Sequence, residues 1–236
     1  MRIGLISDIH SNLHALDVVL DELEDCDRVI CLGDIVGYGA HPNECVKTIK
    51  DGGIPCVLGN HDAACIDLLS LGWFNPFAAS AIRWTLARLS GESLNFIRNL
   101  RRTHRTESCY LVHGSPREPT TEYLTSSLQA QNSFGLCDDQ VILVGHTHVP
   151  LVFMQRDEVE EIKPLEGDWV SYKKRRVIFN PGSVGQPRDG DPRASYSVID
   201  TDSGRIGLFR TEYDVESARN SIVKEGLPER LGDRLL

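Results

Sequence analysis

Residues that could bind a metal ion recur at short spacings in five separate places along the chain. These places are "SDIHSN" with Asp8 and His10, "GDIVGYG" with Asp34, "GNHD" with Asn60, His61 and Asp62, "VHGSP" with His113, and "GHTH" with His146 and His148. Each block follows a short apolar run that predicts a buried strand. Five of the eight histidines lie in these blocks, whereas His14, His41 and His104 lie elsewhere. Their joint occurrence indicates one shared site rather than five unrelated polar turns.

Each block alone is a weak signal. His146 and His148 are one residue apart, so in an extended strand both side chains would point to the same side. Such a pair is either a metal-binding pair or a chance spacing. An Asp next to a His is often only a hydrogen-bonded pair, and GNHD could form a simple turn. Asp62 either orients a neighbouring side chain or caps a helix.

The donor atoms of the five blocks indicate which ions the site would bind. Carboxylate oxygens and imidazole nitrogens suit divalent manganese, iron, zinc, cobalt or nickel, and the absence of thiolates excludes a closed cysteine–zinc site. Seven ligands are more than one tetrahedral ion needs, whereas two ions that share a carboxylate would use them all. Two such ions bring four positive charges against the two carboxylates of Asp8 and Asp34. The remaining positive charge favours a phosphate substrate and an acidified water molecule.

The first half of the chain predicts the elements that would position these residues. Strands are expected at 2–7, 28–33 and 54–59 because each is a short apolar run. Helices are expected at 11–25, with Ser11 as the cap, and at 41–53, with Pro42 near its start. This β-α-β-α-β order predicts parallel strands with right-handed crossovers. In such sheets ligands bind beyond the carboxyl ends of the strands, where the polar blocks lie.

The rest of the chain predicts a helical middle and a strand-rich second half. Residues 62–100 read as helices with a break at Ser90 and Gly91. The expected later elements are strands at 108–114, 140–148, 150–155, 175–183, 194–201 and 204–213 and a helix at 214–226. No repeat or linker interrupts the chain, so we expect a single domain over residues 1–236.

Composition bounds the function classes. The chain has 236 residues and a formal charge of -9, which disfavours non-specific binding to the nucleic-acid backbone. No apolar run is long enough to span a membrane, and the odd set of seven cysteines is typical of a reduced, cytoplasmic protein. We therefore expect a cytoplasmic protein that acts on a small substrate. Whether it forms a homo-oligomer is left open.

The five blocks, in this order, resemble those of the calcineurin-like metallophosphoesterases. The resemblance covers residues 8–148 and implies a two-sheet α/β/β/α sandwich. It also implies that Asp8, His10 and His148 hold a first metal ion and that Asp34 bridges to a second, held by Asn60, His113 and His146. His61 would be the catalytic residue, which faces the substrate and either protonates the leaving group or stabilises the phosphorane-like transition state, and a metal-bound hydroxide would attack phosphorus. Manganese is the expected ion, with iron, zinc, nickel or cobalt as alternatives.

The second block departs from one branch of that family. Protein Ser/Thr phosphatases and symmetrical diadenosine tetraphosphate hydrolases have an arginine in this block, whereas this chain has Gly37 and Tyr38. The departure favours a small phosphodiesterase-type member. The loop "NPGSVGQPRDGDPRASY" (180–196) offers Ser183 and Arg188 as candidate substrate contacts. Tyr38 either stacks on a base or only packs.

The leading hypothesis is therefore a dinuclear metal-dependent phosphoesterase that acts on phosphodiester or nucleotide-type substrates. A phosphomonoesterase using the same site is the first alternative. A non-catalytic scaffold of the same fold is the second, although such a protein usually lacks some of the ligands. A nuclease is disfavoured by the acidic charge and by the lack of a basic groove lined by aromatic side chains.

Overall fold

The computed structural model describes residues 1–236 and contains eight α-helices, one short 3-10 helix and eleven strands. The strands are β1 Arg2–Ile6, β2 Arg28–Cys31, β3 Thr103–Arg105, β4 Tyr110–Val112, β5 Val141–Leu143, β6 Leu151–Gln155, β7 Val159–Ile162, β8 Trp169–Ser171, β9 Arg176–Asn180, β10 Ala194–Asp200 and β11 Arg205–Thr211. The helices are α1 Leu13–Glu22, α2 Pro42–Asp51, α3 Asn60–Ala64, the 3-10 helix Leu71–Trp73, α4 Pro76–Arg88, α5 Gly91–Arg98, α6 Ser127–Leu136, α7 Val215–Lys224 and α8 Glu229–Asp233. None of the helices is long and apolar enough to cross a membrane.

The strands form two mixed sheets. The first has the order β2-β1-β10-β11-β8 and the second the order β3-β4-β5-β9-β6-β7. Strand β1 is parallel to β2 and antiparallel to β10, so segments from both ends of the chain share one sheet. In the second sheet β4, β5 and β9 are parallel. The carboxyl ends of β1 and β2, and those of β4 and β5, are therefore each brought together at one sheet edge.

The sheets pack face to face, and helices cover their outer sides. Strand β1 shows how the sequence directs this: Ile3 and Leu5 lie in the core between the sheets, whereas Ile6 belongs to the core beneath α1 and α2. This alternation follows the two-residue period of a strand, and each such buried side chain contributes roughly 1.5–3 kcal/mol. On the opposite side α6 places Phe134 in a third core against the second sheet. The expected α/β/β/α sandwich is confirmed.

Helix α1 begins later than predicted and has a different cap. It starts at Leu13, and Asn12 rather than Ser11 is the N-cap, because the Asn12 side chain accepts a hydrogen bond from the amide of Ala15 at 3.2 Å. Ser11 instead has φ 56°, outside the helix and in the left-handed region. The prediction of a helix is confirmed, but Ser11 belongs to the loop that carries His10.

The predicted third strand at 54–59 is wrong. Only isolated bridges form there, Cys31 with Cys56 and Val57 with Arg101. Pro55 has no amide hydrogen to donate to a ladder, and the chain turns at once into α3. The strand predicted at 140–148 ends at Leu143, so its last residues form a loop. The sequence patterns did not indicate β3, β7, β8, α6 or α8.

Candidate metal centre

The five polar blocks meet in one buried place. Those around Asp8, Asp34, His113 and His146 follow the carboxyl ends of β1, β2, β4 and β5, and Asn60 opens α3. The side chains are almost fully buried despite their polarity. The predicted site residues Asp8, His10, Asp34, Asn60, His61, His113, His146 and His148 are thus brought together. His14 and His41 pair with each other outside this group, with ring centroids 5.5 Å apart, and His104 lies in β3.

One group of donor atoms consists of Asp8, His10 and His148. The Nε2 atoms of the two histidines lie 3.0 Å apart, and Asp8 Oδ1 is 3.4 Å from Nε2 of His148 and 3.9 Å from Nε2 of His10. All three atoms lie within 4.8 Å of one another. This spacing suits donors that surround a single small cation.

A second group lies beside the first and consists of Asn60, His113 and His146. His113 Nε2 is 3.2 Å from Asn60 Oδ1 and 3.2 Å from His146 Nδ1. Asp34 lies between the groups, because its Oδ2 atom is 3.4 Å from His113 Nε2 and 3.6 Å from His10 Nε2. Asp34 can therefore serve both groups at once.

Backbone carbonyls determine which nitrogen each histidine presents. The Nδ1 atoms of His10, His113 and His148 bond to the carbonyl oxygens of Val36, Leu32 and Gln186 at 3.2, 2.7 and 2.6 Å. Because a carbonyl only accepts, each Nδ1 carries a proton and Nε2 is the ring nitrogen that faces the centre, with a lone pair whenever the ring is neutral. Such hydrogen bonds are typical of metal-binding histidines.

Two buried carboxylate oxygens have no hydrogen-bond donor, Asp8 Oδ1 and Asp34 Oδ2. Their companion oxygens are satisfied: Asp8 Oδ2 accepts from Ser7 Oγ at 2.6 Å and from the His146 amide at 3.0 Å, and Asp34 Oδ1 accepts from the His61 amide at 2.8 Å. A buried, unpaired carboxylate oxygen is costly. The two free oxygens and the inward-facing nitrogens fit divalent cations, since carboxylate oxygens and unprotonated imidazole nitrogens are all acceptors.

The pKa values of Asp8 and His113 are both shifted in the direction that reduces the negative charge of this buried site. Burial, reinforced by the charge of Asp34, raises the pKa of Asp8 to about 6. Burial also opposes protonation of His113, but the carboxylates of Asp34 and Asp8 outweigh it and raise the pKa of His113 to about 10. A proton on His113 therefore offsets the buried negative charge when no metal is bound. A divalent cation would compete with that proton for the same lone pair.

Most of the donor residues have an unusual backbone. Asp8, His10, Asp34, His146 and His148 have φ values of 54°, 50°, 54°, 67° and 61°. Non-glycine residues reach this left-handed region at a cost, and such strain clusters at functional sites. The GHTH block is accordingly no strand, and the expectation that His146 and His148 point the same way is wrong. Each contributes to a different donor group.

Glycine is required where the loops approach one another. A Cβ atom on Gly59 would lie 2.0 Å from Oδ1 of Asp34, and a Cβ atom on Gly37 would lie 2.4 Å from Nδ1 of His61. Gly37 also has φ +98°. The glycines of "GNHD" and "GDIVGYG" thus allow Asp34 and His61 to come close to neighbouring backbone.

His61 lies at the edge of both groups. Its ring centroid is 4.8 Å from that of His10, 4.5 Å from Tyr38 and 5.1 Å from Phe74. Burial lowers the pKa of His61 to about 4, so the ring is neutral near pH 7. One of its ligand atoms lies within 4.8 Å of those of His10 and Asp34. His61 is therefore held next to the centre by the packing of its ring and by the hydrogen bond from its backbone amide to Asp34.

Asp62 connects two of the loops. Its carboxylate accepts hydrogen bonds from the amides of Ile35, Val36 and Gly59 at 3.3, 3.2 and 3.1 Å. Gly59 precedes α3, and Ile35 and Val36 follow Asp34. Asp62 is the third residue of α3, whose N-cap is Gly59, so the N-cap alternative is wrong; through its bonds to Gly59, Ile35 and Val36 it has the other role, that of orienting its neighbours.

The two candidate substrate contacts differ in position. Arg188 lies over the ring of Tyr38 at 5.8 Å, donates to Gln186 Oε1 at 3.1 Å and has no carboxylate partner. Ser183 is fully buried; its hydroxyl donates to the carbonyl of Asp8 at 2.8 Å and accepts from the amide of Gln186 at 2.8 Å. The geometry thus makes Ser183 a support for the Asp8 loop, whereas the charge of Arg188 is available to an anion.

Sequence reasoning missed several residues that shape the centre. Ser7 bonds to Asp8, Gln186 orients His148, and Tyr123 stacks on His146 with centroids 3.9 Å apart. Ser7 could have been suspected because it directly precedes Asp8. Gln186 acts through its backbone carbonyl, so its residue type carried no signal. Tyr123 lies in a stretch for which no element was predicted.

Comparisons with known proteins agree with this geometry. A family model for the calcineurin-like phosphoesterase superfamily domain matches residues 1–204. An uncharacterized protein of Methanocaldococcus jannaschii is 40% identical over 240 residues, which is 99% of this chain and 96% of that protein. The phosphodiesterase YfcE of Escherichia coli is 26% identical over 214 residues, which is 86% of this chain and 89% of its own length. The crystal structure of a metallophosphoesterase from Sphaerobacter thermophilus matches with a TM-score of 0.90 and 42% identity, covering 100% of this chain and 98% of that one.

Proposed function

This chain belongs to the calcineurin-like phosphoesterase superfamily, and we propose that it is a dinuclear metal-dependent enzyme that hydrolyses phosphodiester or nucleotide-type substrates. The observation that carries the proposal is the pair of donor groups that share Asp34 and lie beside His61. The similarity to a phosphodiesterase of Escherichia coli supports a diester rather than a monoester.

Seven residues would hold the two cations. Asp8, His10 and His148 would bind one ion, Asn60, His113 and His146 would bind the other, and Asp34 would bind both. Bound divalent ions would supply positive charge for the phosphate and would acidify a water molecule near neutral pH. We propose manganese as the ion, with iron, zinc, nickel and cobalt also suited to this nitrogen and oxygen donor set.

His61 is the proposed catalytic residue. It is the histidine of the centre that neither donor group requires, and its ring lies close to His10 of the first group and to Asp34, which the two groups share. A neutral imidazole keeps one N–H, which can donate to a phosphate oxygen and pass its proton to the leaving oxygen. The tight approach of Gly37 and the neighbouring rings of Tyr38 and Phe74 restrict the orientations of this ring.

Arg188 is the proposed contact for the substrate phosphate. It has no carboxylate partner, and its amide donates to the carbonyl of His148 at 3.2 Å, so it belongs to the edge of the centre. The guanidinium can donate two parallel hydrogen bonds to one phosphate group. The block around Asp34 lacks the arginine of the protein phosphatase branch, and Arg188 would supply such a charge from a different loop.

Hydrolysis of bis-p-nitrophenyl phosphate by the manganese-loaded protein tests the proposal. Turnover should require the metal, stop with a chelator and be lost in His61→Ala, whereas His104→Ala, outside the centre, should behave as wild type. Parallel assays with p-nitrophenyl phosphate measure any preference for monoesters. If the loaded protein hydrolyses neither compound, the chain is a scaffold of this fold rather than an enzyme.

A further inference from the structure

Two large aromatic side chains are exposed next to the candidate metal centre. Trp73 is 45% exposed and Tyr123 is 44% exposed. Both rings are close to parallel with the ring of His146: the centroid of Tyr123 lies 3.9 Å away at 24°, and that of Trp73 lies 6.3 Å away at 29°. Exposed large apolar groups clustered at one place usually mark a binding surface.

The backbone holds Tyr123 in this position. The next residue, Leu124, is buried in the core between α6 and the second sheet. The carbonyl of Tyr123 accepts a hydrogen bond from Gln129 Nε2 at 2.8 Å. One face of the Tyr123 ring is covered by His146, so the exposed surface of this side chain is the rest of the ring. Tyr123 is therefore displayed by an anchored segment rather than by a loose loop.

Trp73 is anchored in a similar way. It ends the short 3-10 helix Leu71–Trp73, and its amide donates to the carbonyl of Ser70 at 3.0 Å. The neighbouring Phe74 packs edge-on against both Trp73 and His61, with centroids 5.3 and 5.1 Å apart. One segment thus connects the proposed catalytic histidine to an exposed indole ring.

A positive charge lies close to the same surface. The Arg188 guanidinium lies 5.8 Å from the ring centroid of Tyr38, and its amide donates to the carbonyl of His148, two residues from the His146 ring on which Tyr123 stacks. A ligand whose anionic group reaches Arg188 and the metal centre would therefore have its next atoms near Tyr123. A flat apolar group at that point could cover an exposed ring face, whereas an aliphatic group would cover less of it.

We propose that Trp73 and Tyr123 form a stacking platform for an aromatic ring, a nucleobase or an aryl group, attached to the substrate phosphate. This inference rests on the proposed function, and it narrows the substrate class to phosphate esters that carry such a ring. Stacking of a base on an aromatic side chain contributes roughly 1–3 kcal/mol, or about 5- to 150-fold in affinity. Because both rings are held before binding, little of this gain is lost to ordering.

Binding of phosphonates to the manganese-loaded protein tests the platform without turnover, since their C–P bonds are not esters. Calorimetry should compare methylphosphonate with phenylphosphonate and with an acyclic adenine phosphonate. We expect at least about 5-fold tighter binding for a ring-bearing compound. A gain for both rings assigns the platform to any aryl group, and a gain for adenine alone assigns it to a nucleobase. Equal affinities for all three compounds, or no binding of any, would overturn the inference.

Variants locate the effect. Trp73→Ala and Tyr123→Ala should each remove most of the preference for the ring-bearing compounds over methylphosphonate. Trp73→Phe and Tyr123→Phe should keep the preference for the ring-bearing compounds, because each variant retains a ring face. Phe77→Ala is the matched control, since Phe77 is 39% exposed but lies on α4 beneath Arg230. If the alanine variants weaken all three compounds equally, the two rings only support the metal centre.

The platform and the proposed function fail in different ways. Metal-dependent hydrolysis of bis-p-nitrophenyl phosphate with no preference among the phosphonates would reject the platform alone. A clear preference for ring-bearing phosphonates without hydrolysis of any ester would reject the enzymatic function and leave the platform as a ligand-binding surface.

Discussion

The Nε2 atoms of His10 and His148 lie 3.0 Å apart. Their lone pairs face each other, because the Nδ1 atom of each ring donates its hydrogen to a backbone carbonyl. Two neutral acceptors at this distance repel unless a cation or a proton lies between them. Burial also lowers the pKa of both rings well below the ordinary value, which disfavours the proton. The pair is thus arranged for a metal ion.

Binding of manganese should therefore stabilise the folded protein. At a free metal concentration about 100 times the dissociation constant, the gain is about 2.7 kcal/mol. For a chain of this size, that corresponds to a rise in Tm of roughly 5–10 °C. Differential scanning calorimetry with manganese and with excess chelator measures the difference.

Variants show whether that stabilisation comes from the proposed donors. His148→Ala should lose most of the metal-induced rise in Tm, whereas His104→Ala, which changes a histidine in β3, should keep it. A full rise in the His148→Ala protein would mean that manganese binds somewhere else.

Substitution of His61 should separate catalysis from metal binding. We expect His61→Ala to lower kcat by about 10²- to 10⁴-fold, the range for loss of a proton-transfer group. The metal content should remain near that of wild type, because the bond from residue 61 to Asp34 is made by the backbone amide. Elemental analysis of the dialysed variant, together with its kcat, tests both statements. Loss of metal along with activity would make His61 a ligand rather than a proton donor.

Gly37 should be needed for the orientation of His61. A Cβ atom on Gly37 would lie 2.4 Å from His61 Nδ1, so Gly37→Ala should displace the ring and lower kcat at least about 10-fold, with strain of roughly 1–3 kcal/mol. Gly53→Ala is the control: Gly53 also has a positive φ of +59°, but nothing lies within 4 Å of its added Cβ. Steady-state kinetics should show a defect in the first variant only; equal defects in both would point to backbone strain rather than to contact with His61.

Arg188 should contribute mainly to substrate binding. Loss of a hydrogen bond to a charged group costs about 1.5–3 kcal/mol, so Arg188→Ala should lower kcat/KM by about 10- to 150-fold, largely through a higher KM. Arg188→Lys should recover only part of this, since lysine lacks the planar fork. Arg193 lies in the same loop but is paired with Glu166 and Asp191, and Arg193→Ala should leave KM close to wild type. An unchanged KM in Arg188→Ala would remove Arg188 from the substrate site.

The sequence allowed the donor residues and the layered fold to be predicted for physical reasons. Asp8 and Asp34 follow short apolar runs that predict buried strands, and parallel strands bring such ends together. The family resemblance added the division of ligands between two groups, and the structure places the atoms of Asp34 between them.

The conformation of the donor loops was not predictable in the same way. The spacing of His146 and His148 matches the period of a strand, but both residues have positive φ values and belong to different donor groups. Such a backbone is imposed by distant partners, such as the Gln186 carbonyl on His148 and the Asp8 carboxylate on the His146 amide. Local residue patterns carry no record of these contacts, which are made across 38 and 138 residues of the chain.

The hydrogen bond between His148 and the carbonyl of Gln186 has a consequence for the order in which the molecule matures. A nascent chain that has emerged just past His148 already contains every donor, yet it lacks the acceptor that turns this imidazole inward. It also lacks β10, which pairs with β1 in the first sheet. If the proposed ions bind here, their high-affinity binding would wait until most of the polypeptide has been synthesised, and a truncated product ending before that carbonyl would carry all seven proposed ligands without the acceptor that orients His148.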